Sequence, residues 1–216
     1  MERKIFHTLV SLNEVISIIN KFVPLKPLGV EEVDLNHALG RVLAEDVVAD
    51  IDYPPFDRSE VDGYAVRAED TFGANELNPV RLKIIGRIAI GEVPTMELRE
   101  GQAIETTTGS MIPRGANAVI MEEFTEREDS EVIVYRSVAP RENIAVTGSD
   151  IPKGDTVLMK GSVIGFNEIA ILAAIGRNKV KVFKRPRIAV ISIGNEIIAP
   201  GTELSLAKLY DINGYV

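Results

Sequence analysis

The segment from Asp52 to Val66, DYPPFDRSEVDGYAV, sets four carboxylates among two prolines, one glycine and two tyrosines. That mixture suits neither a regular helix nor an ordinary strand. Pro54 and Pro55 give up backbone donors and fix their own φ, which keeps a segment extended without placing it centrally in a sheet. Gly63 permits a tight turn. Asp57, Glu60 and Asp62 are then expected on an irregular, exposed loop, where carboxylates can converge on a hard cation such as Mg²⁺ or orient a polar ligand. The same residues also describe a turn in which Asp57 and Asp62 hydrogen-bond nearby backbone while Tyr64 packs. Taken alone, the segment fits both readings.

Upstream, Ser11 and Glu14 form a capping-box pattern, and Leu12, Val15, Ile16 and Ile19 follow at helical spacing toward Phe22. This predicts an amphipathic helix ended by Pro24 and Pro27. The run VEEVDLNHALGRVLAEDVVAD, 30–50, predicts a strand, a short helix ended near Gly40 and an extended stretch through Val47 and Val48.

Downstream, from Pro79 to Arg136, the texture is short β-type segments, VRLKII, QAIETTT, NAVIM and EVIVY, with GEVP, MIPRGAN and the charged TEREDSE as turns between them. After the hairpin-rich 141–165, Asn167 is expected to cap the helix EIAILAAIG, which Gly176 closes. From Lys184, KRPRIAVISIGNEIIAPG pairs a basic lead-in with a continuous apolar run and a glycine loop, the pattern of a buried parallel strand feeding a functional loop. LYDINGYV, 209–216, then reads as the start of a helix.

The expected fold is therefore mixed α and β, multi-domain and elongated. A helix-plus-strand domain, 1–52 and 143–183, carries an inserted β-rich domain, 53–142, and the start of an α/β domain follows at 184–216.

Composition narrows the function classes. With 45% hydrophobic and 26% charged residues in 216, the chain is that of a folded globular protein with a sizeable core. No apolar run approaches the roughly 18–20 residues of a membrane span, and the first residues lack a signal-peptide core, which points to a cytoplasmic protein without membrane insertion. The absence of cysteine excludes disulfides and thiolate metal sites, and the separated His7 and His37 disfavour zinc. A bound metal should be hard and oxygen-ligated. A net charge of −8 argues against nucleic acid as a partner.

Three further stretches carry polar groups at turns. ETTTGSMIPRGANAV places three threonines before Gly109 and Ser110, hydroxyls and amides that could hold an oxyanion or could mark no more than a strand end. TGSDIPKGD holds Asp150 after Gly148 and equally describes a hairpin turn. In ISIGNE, Glu196 follows Gly194 at a strand end, where it could face a ligand or serve as a helix-start charge.

Together these stretches resemble the molybdopterin molybdenumtransferase family, MoeA and the gephyrin E-domain. The resemblance rests on DYPPFDRSEVDGYAVRAEDT, ETTTGSMIPRGANAVI, ENIAVTGSDI, GFNEIAILAAIG and VISIGNEIIAPG with YDING, in the family's order and with similar spacing. It covers the first two domains and the opening of the third. The resemblance implies an enzyme of molybdenum cofactor biosynthesis, converting adenylylated molybdopterin and molybdate to the cofactor with release of AMP, assisted by Mg²⁺. It also implies a homodimer and contact with the enzyme that adenylylates molybdopterin. Carried over by motif, Asp62, Thr108, Asp150 and Glu196 are the implied catalytic residues. Asp62 and Glu196 are the implied metal ligands, and Ser59, Thr107, Gly109, Ser110, Gly194, Asp211 and Asn213 the implied substrate-binding residues.

The chain departs from the family pattern at Ile193 and Asn195, where TGDE is common, at Ala145 and Val146, where arginines are common, and at Ser149, where glutamate is common. A second reading, supported chiefly by the resemblance ending at the opening of the third domain, is a non-catalytic fragment or degenerate paralogue acting as a binding or dimerisation module.

Overall fold

The computed structural model describes residues 10–23 and 26–216. Pro24 and His7 lie outside the described residues. The chain forms two compact units, 32–182 and 1–31 with 183–216. In chain order the helices are α1 (Leu12–Phe22) and α2 (Phe166–Ala174). The strands are β1 (Val30–Asp34), β2 (Val47–Val48), β3 (Arg58–Ser59), β4 (Gly63–Val66), β5 (Val80–Arg87), β6 (Gln102–Thr106), β7 (Ala118–Met121), β8 (Thr125–Glu128), β9 (Glu131–Val134), β10 (Ile144–Ala145), β11 (Thr156–Leu158), β12 (Lys179–Phe183), β13 (Ile197–Ile198) and β14 (Leu209–Tyr210). The described chain holds both element types, as expected, with strands in the majority.

The centre of the 32–182 unit is a six-stranded mixed sheet in the order β7-β4-β6-β5-β9-β8. Within it β5 and β6 run parallel and the other neighbours antiparallel. Val66, Leu82, Ile120, Val132 and Val134 form one apolar cluster with Tyr64, and Ile88, Leu98 and Ile104 form another. A third cluster gathers Leu43, Val47, Leu158, Ile164, Leu172, Val180 and Val182 from the segments flanking the sheet in sequence. Its strands are short, with β2 paired to β11 and β1 to β12. The sequence KVKVF of β12 alternates exposed lysines with buried Val180 and Val182, the period-2 signature of a half-buried strand.

Several elements follow the sequence expectations. In α1, the Ser11 hydroxyl accepts the Glu14 N–H at 3.3 Å and Glu14 Oε2 accepts the Ser11 N–H at 2.7 Å. Those bonds, the Ser11 amide first, hold the Glu14 carboxyl below its ordinary value. Helix α2 closes as expected at Gly176, where φ is +76°. There Arg177 N–H donates to Leu172 O at 2.8 Å and Gly176 N–H to Ala173 O at 3.0 Å, the Schellman pairing that satisfies terminal carbonyls.

Others differ. The opening segment ends in a strand, since Gly63–Val66 is β4, buried throughout and flanked by β6 and β7. The prolines that argue against a central strand stay upstream, and four residues free of proline suffice to pair on both edges. The charged TEREDSE supplies β8, which pairs with β9 alone; an edge strand tolerates exposed charge on a half-solvated ladder. The cap of α2 is Gly165 and not Asn167, because the Glu168 carboxylate reaches back to the Gly165 N–H at 2.8 Å.

In the other unit, the apolar run after Lys184 forms no strand. Ile188, Val190, Ile191 and Ile193 are exposed, and the pairing there is limited to parallel β13 and β14. LYDINGYV contributes β14 and a turn in place of the expected helix. A parallel strand is stable when neighbouring strands and helices cover both edges and faces, and no such cover exists among the described residues. No described helix is long and apolar enough to cross a membrane.

Candidate functional site

The loop 52–62 is fastened at both ends to other loops of the same unit. At its start, Lys153 N–H donates to Asp52 Oδ1 at 2.8 Å, Gly148 N–H to Pro54 O at 2.9 Å and Asp150 N–H to Tyr53 O at 3.1 Å. In the middle, Asp57 Oδ1 accepts both the N–H and the hydroxyl of Thr147, at 2.8 and 2.7 Å. Strand β3 then pairs with β10, Arg58 opposite Ala145 and Ser59 opposite Ile144. Two segments distant in sequence, 52–59 and 144–153, are thus held together.

At the far end, Asp62 Oδ1 accepts the Thr108 N–H at 2.7 Å and the Thr108 hydroxyl at 3.2 Å. The two foremost sequence candidates therefore touch. What brings them together is the register of the sheet: Gly63 lies opposite Thr106 on β6 and Met121 on β7, so the residues just beyond those strands meet. Gly63 carries φ +150°, and a Cβ there would come within 1.9 Å of Ile120 O. Glycine is the residue this approach allows.

The Thr107–Ser110 turn is built by its own hydroxyls. The Ser110 hydroxyl donates to Thr107 O at 2.6 Å and shares a short hydrogen bond with the Thr106 hydroxyl. The Ser59 hydroxyl donates to Val61 O at 2.6 Å, and the Ser59 amide to Ser110 O at 2.9 Å. Ser59 and Ser110 are buried; their hydroxyls shape the loops that present Asp62 and Thr108. Gly109 turns the chain with φ +87° and donates its N–H to Ser59 O at 2.8 Å.

Beside this pair lies a cleft of about 230 Å³ lined by Asp62, Gly63, Tyr64, Arg87, Glu105, Thr106, Thr107 and Glu122. Glu105 is the hub of its charges, receiving Arg127 Nη1 at 2.9 Å and Arg87 Nε at 3.5 Å. Tyr64 faces Glu105 across β4 and β6, and burial first, the Glu105 charge second, push its phenol up from the ordinary value. Arg87, Glu105 and Glu122 escape a reading of local motifs. Their signal is the pairing of β4 with β6 and β7, which a single sequence does not display.

Asp150 is not joined to Asp62 by a hydrogen bond. It sits on the exposed loop at the Tyr53 end, with the Ser149 hydroxyl 3.4 Å from its Oδ1. Glu196, Gly194, Asp211 and Asn213 belong to the other compact unit. There the Glu196 carboxylate lies over Gly194, where a Cβ would fall 2.6 Å from Oε1. Asp211 Oδ1 accepts the Ser192 hydroxyl at 2.6 Å and the Gly214 N–H at 3.0 Å. The Ser192 hydroxyl first, then the Gly214 amide, hold the Asp211 carboxyl below its ordinary value. Asn213 is exposed.

Magnesium usually takes one or two carboxylates and completes its shell with water and substrate phosphate. Among the described residues no three His, Asp or Glu side chains converge on a common point, and Asp62 commits one oxygen to Thr108. The described side chains therefore do not by themselves build a cation site of three or more protein ligands.

Comparison with known proteins gives these residues a context. Residues 10–176 match the family model described as the MoeA N-terminal region, domains I and II. A molybdopterin molybdenumtransferase from Staphylococcus epidermidis is 38% identical over 208 residues, 96% of this chain and 49% of that protein. Two crystal structures of a molybdopterin biosynthesis MoeA protein from Pyrococcus horikoshii superpose with TM-scores of 0.78 and 0.79, at 47% and 45% identity. They cover 96% and 91% of this chain, and the chain covers 52% of each. The chain spans about half the length of the curated relatives it matches.

Proposed function

Since the chain belongs to the MoeA N-terminal family, we propose that it is the part of a molybdopterin molybdenumtransferase that presents Asp62 and Thr108 to adenylylated molybdopterin. The reaction is insertion of molybdate with release of AMP. The observation that carries this reading is the contact of Thr108 with Asp62, a residue that lines a polar cleft. Thr108 fixes one carboxylate oxygen, and the other has no protein donor among the described residues. A carboxylate fixed in that way can accept a hydrogen bond from a water or a substrate hydroxyl and hold it against the phosphate to be released. Molybdenum takes its dithiolene sulfurs from the substrate, so a chain without cysteine is chemically adequate. Asp150 is read as serving that substrate, and the binding or catalytic roles of Glu196, Asp211 and Asn213 rest on the motif resemblance alone.

The test is an insertion assay on the intact protein with adenylylated molybdopterin and molybdate. AMP is expected to appear with the molybdenum cofactor; intact protein that binds the substrate and releases no AMP would remove the reading.

The partition into 1–52 with 143–183, 53–142 and 184–216 is part of the same proposal, supported by the separate apolar clusters at 64–138 and 33–182. So are a cytoplasmic location, contact with the adenylylating enzyme, and a homodimer. Exposed Leu12, Ile16, Ile19 and Phe22 on α1 give a homodimer apolar surface to bury. Sedimentation is expected to give a dimer at micromolar concentration, and a monomer there would remove that part.

A further inference from the structure

Arg58 stands in the middle of the fastened loop, between Asp57 and Ser59, and is partly buried. Its backbone pairs on both sides, with Ala145 of β10 and with Met111. Its side chain does not. Nε is sealed from solvent without a hydrogen-bond partner, and the guanidinium makes no ion pair with any described residue. Arg81, Arg87, Arg127, Arg136 and Arg177, by comparison, each meet a carboxylate within 3.5 Å. Covering part of a permanent charge without a partner is costly, and a guanidinium is a planar fork that matches a phosphate or another oxyanion.

From this we infer that Arg58 is a substrate-binding residue, holding a tetrahedral oxyanion against the loop that presents Asp62. The inference rests on the proposed function and deepens it, since both substrates carry that chemistry: a phosphate in adenylylated molybdopterin, and molybdate itself. Asp57 is a positioning residue for this site, because its bonds to Thr147 hold β3, which carries Arg58, against β10.

Calorimetric titration of the 216-residue chain with inorganic phosphate, AMP and molybdate in turn tests it. Arg58→Ala is expected to weaken the bound oxyanion about tenfold or more, the size of one charge-assisted contact. Arg58→Lys should recover part of that loss by restoring the charge without the fork. Dependence of phosphate and AMP alone on Arg58 assigns it to the nucleotide end, and dependence of molybdate alone assigns it to the metal oxyanion; both support the inference. Should Arg58→Ala fold poorly by circular dichroism, Arg58→Gln against Arg58→Lys carries the same comparison. Equal binding of all three probes by wild type and the neutral variant would overturn it, as would no binding by the wild type at millimolar concentration. AMP release by the intact protein is judged separately, so the two readings can fail independently.

Discussion

Gly63→Ala is expected to destabilise the 32–182 unit by about 3–5 kcal/mol, the sum of a strained backbone and an overpacked contact. The added methyl would sit 1.9 Å from Ile120 O and 2.9 Å from Glu122 N, both backbone atoms that cannot rotate aside. Relief requires β4 to part from β7, which breaks the register that sets Gly63 opposite Met121. Gly109→Ala is the matched control. Its φ of +87° is equally unsuited to alanine, yet nothing lies within 4 Å of the new atom, so a loss of about 1–2 kcal/mol is expected. Urea midpoints of the two variants give the comparison, and equal shifts would mean that the close approach at Gly63 is not what the fold depends on.

Asp62→Ala is expected to leave that stability nearly unchanged and to lower AMP release by the intact protein about 100-fold, the low end for loss of a positioned acid–base group. Asp62 is exposed, so its removal opens no cavity. Its loss frees the Thr108 amide and hydroxyl at once. Thr108→Val keeps the 2.7 Å amide contact and loses the 3.2 Å hydroxyl contact, so its effect should be smaller, about the fivefold of one modest hydrogen bond. A Thr108→Val loss as deep as that of Asp62→Ala would shift the principal role from the carboxylate to the hydroxyl.

How much of this was legible depends on the range of the contact that decides each feature. The α1 cap is a local exchange between Ser11 and Glu14, three residues apart, and the sequence displays it. The α2 terminus is equally local, although the capping group at its start is Gly165 with Glu168, a pairing masked by the more conspicuous Asn167. Strand β4 was hidden because its burial depends on β6 and β7, about 40 and 55 positions away. Upstream prolines and acids dominate its local composition. The run at 188–193 shows the converse: an apolar pattern that reads as a strand stays exposed where no neighbouring strand pairs with it.

The acidic loop had two open readings, and the geometry gives each a share. Asp57 and Asp62 do hydrogen-bond backbone, as a turn would require, but they do so to Thr147 and Thr108 across the fold and not to their sequence neighbours. Tyr64 packs in the core, as the turn reading required, and also lines the cleft. Motif resemblance picked out Asp62 and Thr108 without showing that they touch. The sealed Nε of Arg58 has no local sequence signal and is visible only in three dimensions.

The most direct measurement is AMP release by the intact Asp62→Asn protein, compared with wild type at saturating adenylylated molybdopterin and molybdate. Asparagine preserves the size of the side chain and an oxygen to accept the Thr108 N–H, and removes only the carboxylate charge. A fall of about 100-fold with substrate binding retained is expected if Asp62 acts as the acid–base group of this site. Turnover equal to wild type would contradict it.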